Sequence, residues 1–146
     1  IIVVDPIAKI KSNTICYTAE KDKPISVNIA KHPQFISNEY IDGQGIFTFK
    51  NKITSIPEKA FFDCSKLDSI IIPESVTEIG NSVFTRCHYL KMVYCQSTTP
   101  PTLGENAFSN ISREAKICVP KNSVALYKSA NGWKDYASKI VGCDFK

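Results

Sequence analysis

Residues 53–95 repeat at a period of 23. Ile53, Ile56, Ala60, Phe61, Cys64, Leu67 and Ile70 recur as Val76, Ile79, Val83, Phe84, Cys87, Leu90 and Val93, each 23 positions on. The match is in spacing as well as residue type. One such unit has too few apolar residues to close a core alone, so each must bury its apolar side against its neighbours. The expected fold is therefore a short, β-rich α/β solenoid. Parallel strands line one face, with tight turns or short helical turns on the other.

The strand arm reads from Leu67-Asp-Ser-Ile70-Ile71-Ile72-Pro73, with apolar residues spaced Leu-x-x-Ile-x-Ile. This is the strand signal of leucine-rich repeats. Alternation along a strand sends Ile70 and Ile72 inward and Ile71 outward. Ala60-Phe61 and Val83-Phe84 fall on the opposite arm, too close to the Cys and Leu for a long helix. A third unit follows with an offset of 24: Leu103, Ala107, Phe108, Ile117 and Val119 answer Ile79, Val83, Phe84, Val93 and Cys95. That offset turns Ile117 and Val119 inward and Cys118 outward. Phe47 and Phe49 lie 23 residues before Ile70 and Ile72, so Ile46-Phe-Thr-Phe49 reads as the strand of a half repeat, entered through a turn at Asp42-Gly-Gln-Gly45.

Residues 1–44 stand outside the repeat and are expected to form an N-terminal β cap. Within them Thr14-Ile-Cys-Tyr-Thr18 and Ile25-Ser-Val27 are strand-like, divided by the turn-like Glu20-Lys-Asp-Lys23-Pro24. An open solenoid end would otherwise expose core and strand edge. The repeats run over 45–120, and 121–146 read as a C-terminal helical cap. Asn122 or Ser123 is placed to start a short helix through Val124, Tyr127 and Lys128, which Asn131-Gly132 ends. Trp133 either seals the last rung or offers a sugar-stacking platform.

Composition narrows the function. The chain has 146 residues, 43% hydrophobic and 22% charged, which is ordinary for one globular domain. Its net charge of +4 comes from 18 scattered Lys and Arg with no run of four, so the clustered basic footprint of a nucleic-acid binder is missing. No stretch nears the roughly 20 apolar residues of a membrane helix. Ile1-Ile-Val-Val4 is too short for a signal-peptide core, and without an initiator Met the chain is expected to be a mature or trimmed piece.

The 6 cysteines contain no Cys-x-x-Cys, and with only 2 histidines no zinc spacing arises. No cofactor is expected. Cys64 and Cys87 share one slot in successive repeats and read as a ladder of buried free thiols. Rungs roughly 4.8 Å apart are within bridging reach, but stacked side chains point alongside one another. Cys16 and Cys143 are unassigned by the pattern. No Gly-x-Ser-x-Gly, His-Glu-x-x-His or phosphate-cradling loop occurs. Cys16 with His32 is the one Cys/His combination outside the repeats, a remote cysteine-hydrolase reading with no third partner fixed by a motif.

What remains is a surface. Stacking aligns the outward positions Thr48, Ile71, Tyr94 and Cys118 into one stripe, and Ile46, Ser69, Met92 and Lys116 into a parallel one. A row containing Ile, Tyr and Met is more apolar than a solvated sheet face, which makes it a candidate binding face. The alternative is that a cap or the N-terminal segment folds over it.

Ile53-Thr-Ser-Ile56-Pro-x-x-Ala60-Phe61-x-x-Cys64-x-x-Leu67-x-x-Ile70-x-Ile72-Pro73-x-x-Val76-Thr-x-Ile79-Gly80 resembles the BspA-type leucine-rich repeat. So do the preceding Ile36-Ser-Asn-x-Tyr40-x-x-Gly43-x-Gly45-Ile46 and the tail Thr99-Pro-Pro101-x-Leu103-Gly-x-x-Ala107-Phe108, Val119-Pro120, Tyr127 and Gly132-Trp133. The resemblance covers most of residues 36–137. It implies a secreted or surface-attached bacterial protein, no catalytic residues, and a non-enzymatic adhesion or binding role toward a host or cell-surface protein or glycan. A structural spacer in a larger surface protein is the alternative. Export would permit disulfides.

Overall fold

The computed structural model describes residues 8–146. The expectation about Ile1-Ile-Val-Val4 lies outside the described residues. Among the described residues there are ten strands: β1 (Thr14–Ala19), β2 (Phe35–Ile41), β3 (Gln44–Phe49), β4 (Ser55–Ile56), β5 (Leu67–Ile72), β6 (Glu78–Ile79), β7 (Met92–Cys95), β8 (Thr102–Leu103), β9 (Lys116–Pro120) and β10 (Ile140–Cys143). One short helix, α1 (Val124–Ser129), lies between β9 and β10.

The period appears directly as register. In a seven-stranded sheet ordered β10-β9-β7-β5-β1-β3-β2, strands β5, β7, β9 and β10 are mutually parallel. Ile70 stands beside Val93, Val93 beside Ile117 and Ile117 beside Ile140. The 24-residue offset of the third unit is therefore real. A second parallel ladder, β4-β6-β8, aligns Ile56, Ile79 and Leu103.

Turns make the remaining arm. Lys59, Phe61 and Asp63 donate N–H bonds to Asn81, Val83 and Thr85, and Ser82, Phe84 and Arg86 donate to Glu105, Ala107 and Ser109. Each turn holds two left-handed residues four apart: Lys59 and Asp63, Ser82 and Arg86, Asn106 and Asn110. Left-handed backbone is uncommon outside glycine. Here it recurs as a pair in each of the three turns, and the amides of the first two turns bond the turn that follows. This is the tight turn expected from the short spacing.

Between the arms lies the core. Phe61, Phe84 and Phe108 stack with centroids 5.4 Å apart at each step and planes within 8° and 6° of parallel. Phe47 closes one end of the stack at 5.8 Å and Trp133 the other at 5.7 Å. All five rings are buried, and each such burial contributes about 1.5–3 kcal/mol.

Three expectations are corrected. First, β3 is not the strand one rung before β5. β1 lies between them, antiparallel to both, pairing Cys16 with Ile46 on one side and with Ile71 on the other. The reason is local: Asp42 and Gly43, both at positive φ, close a tight hairpin that commits β3 to β2. Tyr17 from β1 then stacks on Phe47 at 4.8 Å and fills the space over Gly45, where a Cβ would come within 2.0 Å of its ring. Second, Ile25-Ser-Val27 forms no strand; it leads into a single turn at Asn28–Lys31, whose Ile29 N–H bonds Ala60 O. Third, Ser123 does not cap α1 with its side chain but donates Oγ–H to Thr98 O at 2.7 Å.

Trp133 is fully buried, its Nε1–H donating to Pro101 O at 2.7 Å, so it is no stacking platform. Gly132 at φ 80° makes the turn before it. β10 was not legible as a strand.

A candidate binding face on the outer side of the strands

Core residues Ile70, Ile72, Val93, Cys95, Ile117 and Val119 take one side of the sheet. Residues between them point to the other, which therefore carries the candidate site. β1 rearranges the two expected stripes. The first now runs Ile46, Cys16, Ile71, Tyr94, Cys118, with Cys16 in the place expected of Thr48. Thr48 is half-buried and stands opposite Thr14, outside that row. The second runs Thr18, Ser69, Met92, Lys116, with Thr18 where Ile46 was expected. Thr18 Oγ1 and Ser69 Oγ share a hydrogen bond at 2.6 Å.

The first row is not the open apolar stripe that alternation suggests. Ile71 is 3% exposed, Cys16 3% and Cys118 2%, while Tyr94 is half-buried. Cys118 is covered because it is bonded to Cys143 of β10, with Cα atoms 5.6 Å apart. At the end of β7, buried Gln96 accepts the Ile10 N–H at 3.0 Å and donates to Ala8 O at 2.6 Å. Lys9 N–H bonds Lys146 O, and Lys9 pairs with Glu74 at 3.5 Å. The two ends of the described chain thus meet near Gln96, at the end of β7.

The second row is the more open of the two: Ser69 and Met92 are half-buried, as Tyr94 is, and Lys116 is exposed. Just before β7, Tyr89 is 63% exposed, the most open of the exposed large apolar side chains. It borders a depression of about 350 Å³ that Glu20, Lys66, Asp68 and Lys91 also line. Sequence reasoning did not single out these five. A signal was present, because Lys66 and Tyr89 occupy equal slots just before the strand Leu, a position where the repeat imposes no apolar residue.

The structure separates the remote catalytic pair. Cys16 lies on the outer side of the sheet, whereas His32 packs edge-on to the core ring of Phe49 at 5.3 Å, and its Nδ1 accepts the Gln34 N–H at 3.1 Å. Burial pushes the Cys16 thiol up to about 11, away from the reactive thiolate. Cys64 and Cys87 are buried free thiols, as their shared slot suggests. Cys87 Sγ donates to Phe61 O at 3.0 Å, and burial pushes it up to about 12. Among the described residues no three His, Cys, Asp or Glu side chains converge as metal ligands, and no helix is long and apolar enough to cross a membrane.

Among curated proteins no relative matches the chain. The family model for the BspA type leucine rich repeat region matches residues 35–131 in six copies, and that span includes the stacked Phe ladder and the strands β5, β7 and β9 of the open row. The chain belongs to the BspA-type leucine-rich repeat family.

Proposed function

We propose that this chain is a non-catalytic recognition module of an exported or surface-attached bacterial protein. It is a short solenoid whose N-terminal strands and C-terminal helical segment cap its two ends. A protein or glycan partner docks on the outer strand face at the end where the strands begin. The observation that carries this reading is the row Ser69–Met92–Lys116 beside exposed Tyr89, on a sheet whose other outer row has Cys16, Ile71 and Cys118 buried. Met and aromatic side chains, here Met92 and Tyr89, are among the residue types enriched at interfaces. The Cys118–Cys143 bond fits an oxidising compartment outside the cytoplasm.

Closure of the most apolar row favours one second reading, a structural spacer whose sheet face serves only the fold. A binding screen against arrayed extracellular-matrix proteins and glycans separates the two. The recognition reading expects a ligand whose binding falls in Met92→Gln/Lys116→Glu with melting unchanged. A spacer yields no ligand, or one indifferent to that double variant. Ile71→Asp is unsuitable as a probe, since Ile71 is buried.

A further inference from the structure

We propose that the depression beside Tyr89 is a subsite for a neutral sugar residue of a glycan. The inference rests on the recognition reading and assigns a ligand class to one part of that face. The hollow of about 350 Å³ matches the small end of ligand pockets and suits a single sugar ring with its linkage. Its aromatic wall is Tyr89, 63% exposed, an amphipathic ring offering a flat face to the C–H side of a pyranose.

The polar groups argue for a polyol. Lys66 and Lys91 bring two ammonium donors, and Glu20 and Asp68 bring two carboxylate acceptors, so the hollow has no net charge. Lys66, Lys91 and Glu20 enter no ion pair among the described residues. Asp68 is held from below, its Oδ2 accepting Thr18 Oγ1–H at 3.1 Å. Sugar hydroxyls both donate and accept, so they satisfy carboxylates and ammoniums in one binding mode. An acidic peptide would meet the two carboxylates, and a basic one the two lysines.

The test is saturation-transfer NMR of the whole chain with neutral oligosaccharides containing glucose, galactose, mannose or N-acetylglucosamine, beside uronic-acid oligosaccharides. Tyr89→Ala and Asp68→Asn are the variants. The proposal expects transfer to at least one neutral sugar and an affinity about tenfold weaker in Tyr89→Ala, the loss of one stacked face. It also expects little change between about 0.1 M and about 1 M salt, since a neutral ligand has no charge to screen. Transfer to uronic-acid sugars alone, lost at high salt, would overturn it. So would neutral-sugar binding indifferent to Tyr89→Ala, or no sugar binding at all. No sugar binding together with a protein ligand lost in Met92→Gln/Lys116→Glu would overturn the sugar subsite and leave the recognition reading standing.

Discussion

Two rows of outward side chains lie two residues apart along the same strands, and they differ in exposure. Cys16, Ile71 and Cys118 of one row are buried, whereas in the other Thr18, Ser69 and Met92 are half-buried and Lys116 is exposed. The repeat treats both rows alike, because alternation puts both on the outer side. What divides them is non-repetitive: the Cys118–Cys143 bond and the Gln96 bonds to Ala8 and Ile10. In this molecule the repeat builds the face, and the segments outside it decide which part of the face is available.

That contrast can be broken most sharply at Ile71. A charge there sits buried without a partner, so Ile71→Asp should lower unfolding free energy by more than about 3 kcal/mol. Lys116→Glu, in register two residues along on the open row, should change it by no more than about 0.5 kcal/mol. Denaturant melts of both variants check the pair. Reduction comes next. The bond closes a loop with sequence separation 25, and removing it as Cys118→Ala/Cys143→Ala should cost about 3 kcal/mol. A thiol count on the denatured, unreduced chain should find Cys16, Cys64, Cys87 and Cys95 alone. Third, Gln96→Ala removes two bonds of a buried side chain and should cost about 1–3 kcal/mol. Amide exchange should rise at Ile10 while Val93 in the core of β7 stays protected.

A smaller effect follows from the thiols. Burial raises Cys16 and Cys95 to about 11 and Cys87 to about 12 from an ordinary value of 9.0. The fold therefore favours the protonated form. Their contribution to stability is complete below about pH 9 and is lost as pH rises through 11 to 12, because the unfolded chain releases these protons first. The melting temperature should fall progressively above pH 9 and do so less in Cys87→Ala, relative to that variant's own value at pH 7.

Legibility in the sequence follows the same division. Phe61, Phe84 and Phe108 announce their stack because a parallel ladder places equal slots in contact, so spacing alone predicts neighbours. The 24-residue offset was readable for the same reason, from Ala107-Phe108 answering Val83-Phe84 and from Pro120 falling where Pro73 falls in the first unit. β1 was recognisable as a strand, but its position between β3 and β5 was not. It depends on Tyr17 meeting Phe47 and the vacant space at Gly45, a contact with no periodic counterpart. The Cys118–Cys143 bond was unreadable because β10 is short and lacks alternation. Alternation along β5, β7 and β9 turns Ser69, Met92 and Lys116 outward, whereas Tyr89 lies just outside the strand pattern and carries no periodic signal.

The most direct test of the central claim compares the two ends of the outer face in one binding experiment. A ligand from the matrix-protein and glycan array would be titrated against wild type, against Met92→Gln/Lys116→Glu at the open end, and against Thr98→Asp, an exposed position beyond the closed end. The account predicts that affinity falls only in the open-end variant, with all three proteins melting alike. Loss confined to Thr98→Asp, with the open-end variant binding as wild type, would contradict it.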